Sequence, residues 1–285
     1  MVDILTYYDE HPINEPSIRT ALGKEGKSLE SVIPSDLFPY DQDHYGGLEA
    51  VKALAASAGF AKGSRVLDVC SGMGGPARYI ANSYGCDVVG LDINESRTLS
   101  ANRLTEAVGL ACQVEFICGD AVAMPLAENT FTHVISQEAF LHIQDKGSLF
   151  RNIKKVLGPK GRLVFTDWVA SPNLSDREQS MLRSGMAAAG IHQESEYRKY
   201  ILDAGFETVD SEDLSEWWAK ILRERFQMYR SKAGEAGEAF GLGRFKEFID
   251  AYQIFVEAVE AGKLGGARFT ACTGCKWSNC PSHTS

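Results

Sequence analysis

The strongest indication of the fold is the sequence RVLDVCSGMGGPARYI at residues 65–80. It joins an apolar run typical of a buried strand, a turn with glycines at positions 72, 74 and 75, and the start of a helix. Glycine permits a sharp turn and lets the backbone approach a ligand closely, and the unpaired N–H groups of the following helix point at the same place. The stretch therefore predicts an open α/β sheet that holds a nucleotide-like cofactor at this turn.

Three further apolar runs each lead into polar residues. The first ends in an acid about twenty residues past the glycines, where such folds hydrogen-bond a ribose diol. The runs and the residues that follow them are 86–91 with Asp92, 114–119 with Asp120 and Ala121, and 133–136 with Gln137 and Glu138. Polar side chains are thus predicted at the carboxyl ends of four successive strands, counting the strand before the glycines.

These residues resemble the class I S-adenosylmethionine-dependent methyltransferases, over Val66–Trp168. In that family the acid that begins the glycine motif lies near the methionine part of the cofactor, and it matches Asp68. The acid after the second strand binds the ribose and matches Asp92, and the Asp-Ala pair after the third strand contacts the adenine and matches Asp120 and Ala121.

The same resemblance predicts four more cofactor-binding residues: Gly72, Gly74, Ile93 and Gln137. One departure is visible, because Cys70 stands where the family usually has its first glycine.

A nicotinamide-dependent oxidoreductase is the competing interpretation of this segment, since its fingerprint also places glycines between a strand and a helix. Asp68 directly precedes the turn. A carboxylate at that place would repel a pyrophosphate but would suit a cofactor with an α-ammonium group, so S-adenosylmethionine is favoured.

Composition and charge restrict the function classes. The chain has 285 residues, 44% hydrophobic content, a net charge of −9 and a pI near 5.3. An acidic chain is a poor match for nucleic acid, and no apolar stretch approaches the roughly twenty residues of a membrane span. The amino terminus shows no basic region followed by an apolar one, so no export signal is expected. We therefore predict a cytoplasmic monomer or homodimer that acts on a small molecule, with no nucleic-acid or membrane partner.

The fold class expected from the pattern and the resemblance is a Rossmann-like, mostly parallel, seven-stranded sheet with an antiparallel last strand. Residues 1–60 are predicted as a helical lid, 61–170 as the cofactor-binding core, and 171–271 as the rest of the fold with helices that cap the substrate. Residues 158–161 are predicted as a turn before the fifth strand, and 272–285 as a cysteine-rich tail without fixed structure.

The seven cysteines fall into two groups. Cys70, Cys86, Cys112 and Cys118 lie in or beside predicted strands, where free cysteine packs as a small hydrophobe. Cys272, Cys275, Cys280 and His283 are enough in number for one tetrahedral zinc, but their spacing fits no strong pattern. We predict no metal site and leave zinc in the tail as the minor alternative.

Methyl transfer from a sulfonium is an in-line displacement, so the protein must align the acceptor with the methyl group and exclude water. An amine acceptor must be neutral when it attacks, which requires a nearby proton acceptor or selection of the minor neutral form. The segment SQEAFLH, residues 136–142, places Glu138 and His142 at the end of the fourth strand as candidate catalytic residues. As structural alternatives, Glu138 would cap a helix and His142 would make a fixed hydrogen bond.

This segment is similar to the corresponding stretch of sarcosine and dimethylglycine N-methyltransferases, and TYYD at 6–9 and YDQDHYGGLE at 40–49 resemble motifs of related enzymes. Aromatic faces can hold a sulfonium or a methylated ammonium by cation–π attraction, although core packing is the alternative for each one. We expect Trp217 and Trp218 not to be wholly core. The predicted substrate-binding residues are Tyr8, His44, Tyr45, Trp168 and Trp217.

The sequence therefore predicts an S-adenosylmethionine-dependent methyltransferase acting on a small amine or amino-acid nitrogen. Transfer to carbon, oxygen or sulfur of a metabolite precursor remains an alternative, because the same fold supports many acceptors. A non-catalytic protein that binds S-adenosylmethionine for regulation is the alternative of another class.

Overall fold

A single mixed sheet organises the chain. In a computed structural model, which describes residues 4–9, 11, 13–231 and 242–274, seven strands form one sheet in the order β3-β2-β1-β4-β5-β7-β6. The strands are β1 (Arg65–Val69), β2 (Asp87–Asp92), β3 (Val114–Cys118), β4 (Phe131–Gln137), β5 (Leu157–Ala170), β6 (Thr208–Asp213) and β7 (Leu264–Cys272).

Strands β1 to β5 are parallel, and β7 runs antiparallel to both β5 and β6. The predicted fold class, with its antiparallel last strand, is confirmed. The strand order reverses between β1 and β4, and such a switch point opens a crevice at the carboxyl ends of parallel strands.

Helices cover both faces of the sheet, and a short 3₁₀ turn at Phe140–His142 follows β4. The helices are α1 (Ile4–Asp9), α2 (Glu15–Lys24), α3 (Pro34–Leu37), α4 (Gly47–Ala58), α5 (Gly75–Tyr84), α6 (Glu95–Ala107), α7 (Lys146–Val156), α8 (Asp176–Met186), α9 (Glu194–Asp203), α10 (Ser215–Ser231) and α11 (Leu242–Glu260). None of the helices in the described ranges combines the length and apolar character needed to cross a bilayer.

Only part of the predicted lid, residues 1–60, lies over the crevice. Of residues 1–60, α1 and the loop 41–45 border the crevice, whereas α2 and α4 pack into the main core through Ile18, Val51 and Leu54, all at most 1% exposed. Their apolar faces at helical spacing are buried against the sheet layer, which short-range sequence patterns do not reveal.

Two predicted boundaries are wrong. Residues 158–161, predicted as a turn, lie within β5, where Lys160 takes a φ of +61° and the pairing with β4 shifts register. Cys272 ends β7 and is 4% exposed rather than part of a tail. The hydroxyl of Thr273 accepts from the Gly161 N–H at 2.9 Å and donates to the Gly158 carbonyl at 2.8 Å, which fixes the strand end.

The predicted burial of the cysteines is confirmed for one of them and wrong for two. Cys86 is buried as expected, but Cys112 and Cys118 are exposed. Cys112 lies in the turn before β3, and Cys118 is the last residue of that edge strand, so neither faces the core. Cys275, Cys280 and His283 lie outside the described residues.

A fully buried ion pair joins the segments around the glycine turn. The Arg78 guanidinium donates to Asp41 Oδ2 at 2.9 Å and to the Met73 carbonyl at 2.6 Å, with both charged side chains 0% exposed. It also donates to the Ala101 carbonyl and to the Thr105 hydroxyl on α6. Burial raises the pKa of Asp41 even beside this guanidinium.

Removing the cation should leave Asp41 as an uncompensated buried acid. We expect Arg78→Met to lower the free energy of unfolding by about 3–5 kcal/mol, because breaking a buried pair costs more than the pair contributes. Urea denaturation measures this, with the exposed Arg151→Met as control. Adding Asp41→Asn to the Arg78 variant should recover much of the loss, and a variant as stable as the wild type would contradict the assignment.

Candidate active site

A cavity of about 770 Å³ opens at the carboxyl ends of the parallel strands. Residues near the carboxyl ends of β1, β2, β4 and β5, together with those that follow β1, β2, β3 and β4, form its floor. Side chains from α1, the loop 41–45, α8, α10 and α11 close over it. The cavity therefore lies in the crevice that the strand order predicts.

The glycine turn after β1 is built on left-handed backbone. Cys70, Gly72 and Gly74 have φ values of +61°, +53° and +79°. The N–H groups of Cys70 and Ser71 both donate to the Leu91 carbonyl, at 2.7 and 3.1 Å, which anchors the turn to β2. Cys70 thus takes the conformation that glycine would take without strain, at a cost of about 1–2 kcal/mol.

Asp92 closes the turn from the neighbouring strand. Its Oδ2 accepts from the Gly72 N–H at 2.8 Å and its Oδ1 accepts from the Asn94 N–H at 2.9 Å. Burial raises the pKa of Asp92, while these two backbone hydrogen bonds oppose the shift. Each carboxylate oxygen retains acceptor capacity, so the fixed carboxylate can receive hydroxyl groups of a ligand.

Two neighbouring side chains bring unpaired polar atoms to the floor. Asp68 Oδ2 and both amide atoms of Gln137 are buried, and within the described part of the chain they have no hydrogen-bond partner. Burial, with a contribution from nearby Asp92, raises the pKa of Asp68 to about 8. Because unpaired buried polar atoms are costly, these atoms indicate a polar ligand in the cavity.

Glu138 is held in an uncommon conformation at the end of β4. Its φ is +53°, and its N–H donates to the Thr166 carbonyl of β5 at 2.7 Å. Its Oε2 accepts from the Tyr45 N–H at 2.7 Å, whereas its buried Oε1 has no partner among the described residues. Burial raises the pKa of Glu138 to about 8. A carboxyl with that pKa, aimed into a cavity, can exchange a proton near neutral pH.

His142 contacts the amino-terminal helix rather than open space. Its Nδ1 lies 3.0 Å from the Ala187 carbonyl, so that nitrogen carries the proton, and its Nε2 accepts from the Tyr8 hydroxyl at 2.9 Å. Burial lowers the pKa of His142 to about 4, which keeps the ring neutral. Both ring nitrogens are therefore engaged, and His142 holds Tyr8 over the cavity.

A second cluster fixes the same lid. Arg97 of α6 forms an ion pair with Asp43 of the loop, and its guanidinium lies over the Tyr8 ring at 5.0 Å. His11 Nδ1 lies 3.3 Å from Asp43 Oδ1. Burial acts to raise the pKa of Asp43, but His11 and Arg97 outweigh it and bring the pKa below its usual range.

Lys146 joins the His142 turn to the loop that follows α8. Lys146 is 1% exposed. Its ammonium donates to the carbonyls of Phe140, Ile143 and Gly190 at 2.5, 2.5 and 2.8 Å. All three protons are used, and burial lowers its pKa to about 8. The loop contains Ala187, whose carbonyl accepts from His142, so Lys146 holds both partners of that contact.

The far end of the cavity is aromatic. Trp168 follows Asp167 near the end of β5 and packs against Tyr45, Trp218 and Phe255, with ring centroids 5.3, 4.7 and 4.2 Å apart. The guanidinium of Arg225 lies over the Tyr45 ring at 4.6 Å and donates to the carbonyl of His44 at 2.8 Å.

Most of the predicted site residues meet in this one cavity. Those that line it are Asp68, Gly72, Asp92, Ile93, Asp120, Ala121, Gln137, Glu138, His142, Tyr8, His44, Tyr45 and Trp168.

Two predicted site residues do not line the cavity. A Cβ on Gly74 would lie 2.2 Å from the Phe116 ring, so this glycine permits close packing instead. Trp217 lies against Gly46 on another face, where an added Cβ would be 2.6 Å from the indole. Of the pair expected not to be wholly core, Trp217 is partly exposed, whereas Trp218 is buried at 1% exposure.

Several lining residues were missed. Arg97 and Arg225 reach the cavity through contacts between distant segments and carry no recognisable spacing in the sequence, whereas Asp43 lies in the 40–49 motif but was not singled out. His11 follows the Tyr7-Tyr8 pair closely enough to have been suspected.

Comparison with known proteins places this geometry in a family. Residues 67–165 match the family model described as a methyltransferase domain, close to the predicted span Val66–Trp168. This chain contains a class I S-adenosylmethionine-dependent methyltransferase domain. The predicted resemblance is confirmed at this level.

Individual relatives extend the likeness. A phosphoethanolamine N-methyltransferase 3 from Arabidopsis thaliana is 32% identical over 226 residues, covering 79% of this chain and 46% of that protein. A glycine/sarcosine/dimethylglycine N-methyltransferase from Actinopolyspora halophila is 30% identical over 194 residues, covering 67% and 34%. The chain spans less than half the length of these curated relatives.

A solved structure shares the fold. It is a Haemonchus contortus phosphoethanolamine N-methyltransferase 2 in complex with phosphomonomethylethanolamine and S-adenosylhomocysteine, with a TM-score of 0.74 and 19% identity. The match covers 96% of this chain and 61% of that one.

The residues of this methyltransferase domain fit S-adenosylmethionine. The unpartnered Oδ2 of Asp68 suits the α-ammonium group, and the fixed carboxylate of Asp92 suits the ribose hydroxyls. Asp120 lies at the exposed margin of the cavity, with its Oδ1 accepting from the Val122 N–H at 2.9 Å, and the buried Ala121 lies beside it where an adenine would pack.

Loss of the Asp92 carboxylate should weaken cofactor binding. We expect Asp92→Ala to reduce the affinity for S-adenosylmethionine by about 1.5–3 kcal/mol, because hydrogen bonds to a charged group are lost. Isothermal titration calorimetry measures this. Asp87→Ala, at the exposed start of the same strand, serves as the control and should bind normally. Unchanged affinity in the Asp92 variant would reject the ribose assignment.

Loss of the Lys146 ammonium should loosen the His142 turn. We expect Lys146→Met to lower the free energy of unfolding by at least about 2 kcal/mol, since three buried carbonyls lose their donor. Chemical denaturation reports the stability, and the exposed Lys155→Met on the same helix is the control. Equal stability of the two variants would show that water replaces the ammonium.

Proposed function

We propose that the protein transfers a methyl group from S-adenosylmethionine to the nitrogen of a small amine. The observation that carries this proposal is the buried, unpartnered Oε1 of Glu138, held at the cavity wall by the Tyr45 N–H on its other oxygen. An amine attacks only in its neutral form, and a carboxylate at this place can accept its proton.

Charge within the cavity supports a cationic occupant. Among the described lining residues, seven are acids: Asp41, Asp43, Asp68, Asp92, Asp120, Glu138 and Asp145. Two lining residues are permanent cations, Arg97 and Arg225. Asp43 is paired with Arg97, and Asp41 is paired with the Arg78 guanidinium behind the lining, which leaves five lining acids outside these two pairs. Such an excess of acids suits a sulfonium cofactor together with an amine, and it opposes a strongly anionic acceptor.

When bound, S-adenosylmethionine supplies an activated methyl group for in-line displacement. Asp68 and Asp92 would bind and orient its ammonium and hydroxyl groups. Tyr8, which is held by His142 and lies under the Arg97 guanidinium, excludes water at the side of the cavity that α1 covers. Glu138 binds the amine and takes its proton at Oε1. His142 holds Tyr8 in place and takes no proton, because its acceptor nitrogen Nε2 already accepts the Tyr8 hydroxyl and its Nδ1 donates to the Ala187 carbonyl.

A second candidate is transfer to carbon or oxygen of an apolar acceptor. The aromatic far end around Trp168 and Phe255 favours it, because these walls do not discriminate among nucleophilic atoms. An assay of S-adenosylhomocysteine formation with amines, phenols, thiols and activated carbon acids separates the candidates. Turnover with any acceptor also excludes the non-catalytic alternative.

Glu138 should control the pH dependence of amine methylation. As a base with its pKa raised to about 8, it is protonated below that pH, so kcat/KM should rise with pH and level off above it. Glu138→Gln retains an oxygen for the Tyr45 N–H but cannot take a proton. We expect its kcat/KM to fall by about 10²–10⁴ and this rise to disappear.

The amine titrates over part of the same range, but its ionisation is common to both proteins. The ratio of the two pH profiles therefore isolates Glu138. Glu115→Gln, exposed on β3, is the control and should keep the wild-type profile. A wild-type pH profile in the Glu138→Gln variant would contradict the assignment of Glu138 as the base.

A further inference from the structure

The end of the cavity remote from Asp120 is formed by one apolar cluster. Trp168, Leu182, Met186, Tyr252 and Phe255 belong to it, and all of them line the cavity. Each is at most 9% exposed. The cluster joins the end of β5 to α8 and α11, away from the glycine turn.

The sheet order separates this end from the cofactor-binding end. Asp120, Asp92 and Asp68 follow or belong to β3, β2 and β1, whereas Trp168 lies on β5, on the other side of β4. With neighbouring strands about 4.8 Å apart, the two ends of the cavity are separated by roughly 19 Å from β3 to β5. Glu138, at the end of β4, stands between them.

Few polar groups reach this end. Among the described lining residues from α8, α10 and α11, the side-chain polar groups are those of Ser184, Arg225 and Tyr252. The Tyr252 hydroxyl lies 3.4 Å from the Tyr45 hydroxyl. No carboxylate from these described helix residues lines the cavity. A small zwitterion placed here would lose hydration without recovering enough hydrogen bonds.

We propose that the acceptor amine carries an apolar body of about the size of an aromatic ring, which lies against Trp168, Met186 and Phe255. This inference rests on the proposed function, and it names the acceptor class. The amine points towards Glu138, and the apolar body points away from the cofactor. The acceptor is thus an amphiphilic amine rather than a small polar one such as glycine or ethanolamine.

Matched pairs of amines test the proposal. Sarcosine is paired with N-methylphenylalanine, which adds a benzyl group, and N-methylethylamine with N-methylphenethylamine, which adds a phenyl group. Formation of S-adenosylhomocysteine gives kcat/KM for each amine. We expect the phenyl-bearing member of at least one pair to be favoured by about tenfold or more, because its ring leaves water on binding.

Binding provides a readout separate from turnover. Calorimetry with the S-adenosylhomocysteine-loaded protein should show tighter binding of the phenyl-bearing amine, with a more negative heat-capacity change than its partner. Equal or weaker binding and turnover of both phenyl-bearing amines overturns the apolar acceptor but leaves amine methylation intact. Turnover of phenols or carbon acids alone, with no amine accepted, overturns the proposed function, and this inference with it.

Substitutions of Met186 locate the apolar body. Met186 ends α8 and lines the cavity, so the amide of an asparagine at this position can face the cavity and not the packed core. We expect Met186→Asn to raise KM for the phenyl-bearing amine by about tenfold while leaving KM of its small partner unchanged. Met186→Leu keeps the apolar surface and should leave both values near wild type.

A purely structural effect of Met186→Asn would alter both amines equally and lower the melting temperature. That outcome would overturn the contact with Met186. Equal KM values for wild type and Met186→Asn with the phenyl-bearing amine would overturn it as well.

Discussion

The buried ion pair between Arg78 and Asp41 sets the geometry of the cofactor-binding end. Its guanidinium joins the loop 41–45, the Met73 carbonyl of the glycine turn and the α6 helix in one hydrogen-bonded unit. A Cβ on Gly75 would lie 2.2 Å from the Asp41 carbonyl oxygen, so the loop can approach only a glycine there. Because this loop also carries Tyr45, whose N–H orients Glu138, the ion pair connects cofactor binding to the proposed base.

The raised pKa values in the cavity arise because two carboxyl groups are buried without full hydrogen-bond pairing. Asp68 and Glu138 both have pKa values raised to about 8, because their carboxyls are removed from water while one oxygen of each lacks a partner. In the protein alone, the stability that each group contributes by holding its proton is fully present below the ordinary carboxyl pKa and is lost progressively as the pH rises from there to about 8. Cationic groups of a cofactor or an acceptor would favour the charged forms, so binding energy and proton release are coupled at the same two side chains.

Local patterns in the sequence were sufficient to predict much of the fold and several residues that line the cofactor-binding end of the cavity. The helix at 47–58 depends on short-range signals, namely apolar periodicity and a glycine at the helix end, whereas the antiparallel last strand was expected from the family resemblance. The structure confirms both. Trp217 was misplaced for a physical reason: adjacent helical residues are about 100° apart, so it and the buried Trp218 cannot face the same side. The Arg97–Asp43 pair and the hydrogen bond from Lys146 to the Gly190 carbonyl join segments that are distant in the chain, and no spacing predicts them.

The two ends of the cavity are built by different kinds of structure, and this explains why the sequence indicated more residues of the cofactor-binding end than of the apolar end. Asp68, Asp92 and Asp120 belong to or directly follow parallel strands, so the register of the sheet fixes their positions. The apolar end depends on how α8 and α11 pack against Trp168, and such packing can change without disturbing the strands. A shared methyl donor therefore requires conserved strand ends, whereas acceptor choice can diverge through the helices. For this reason the relatives' acceptors are weaker guides to this chain than the side chains lining its own cavity.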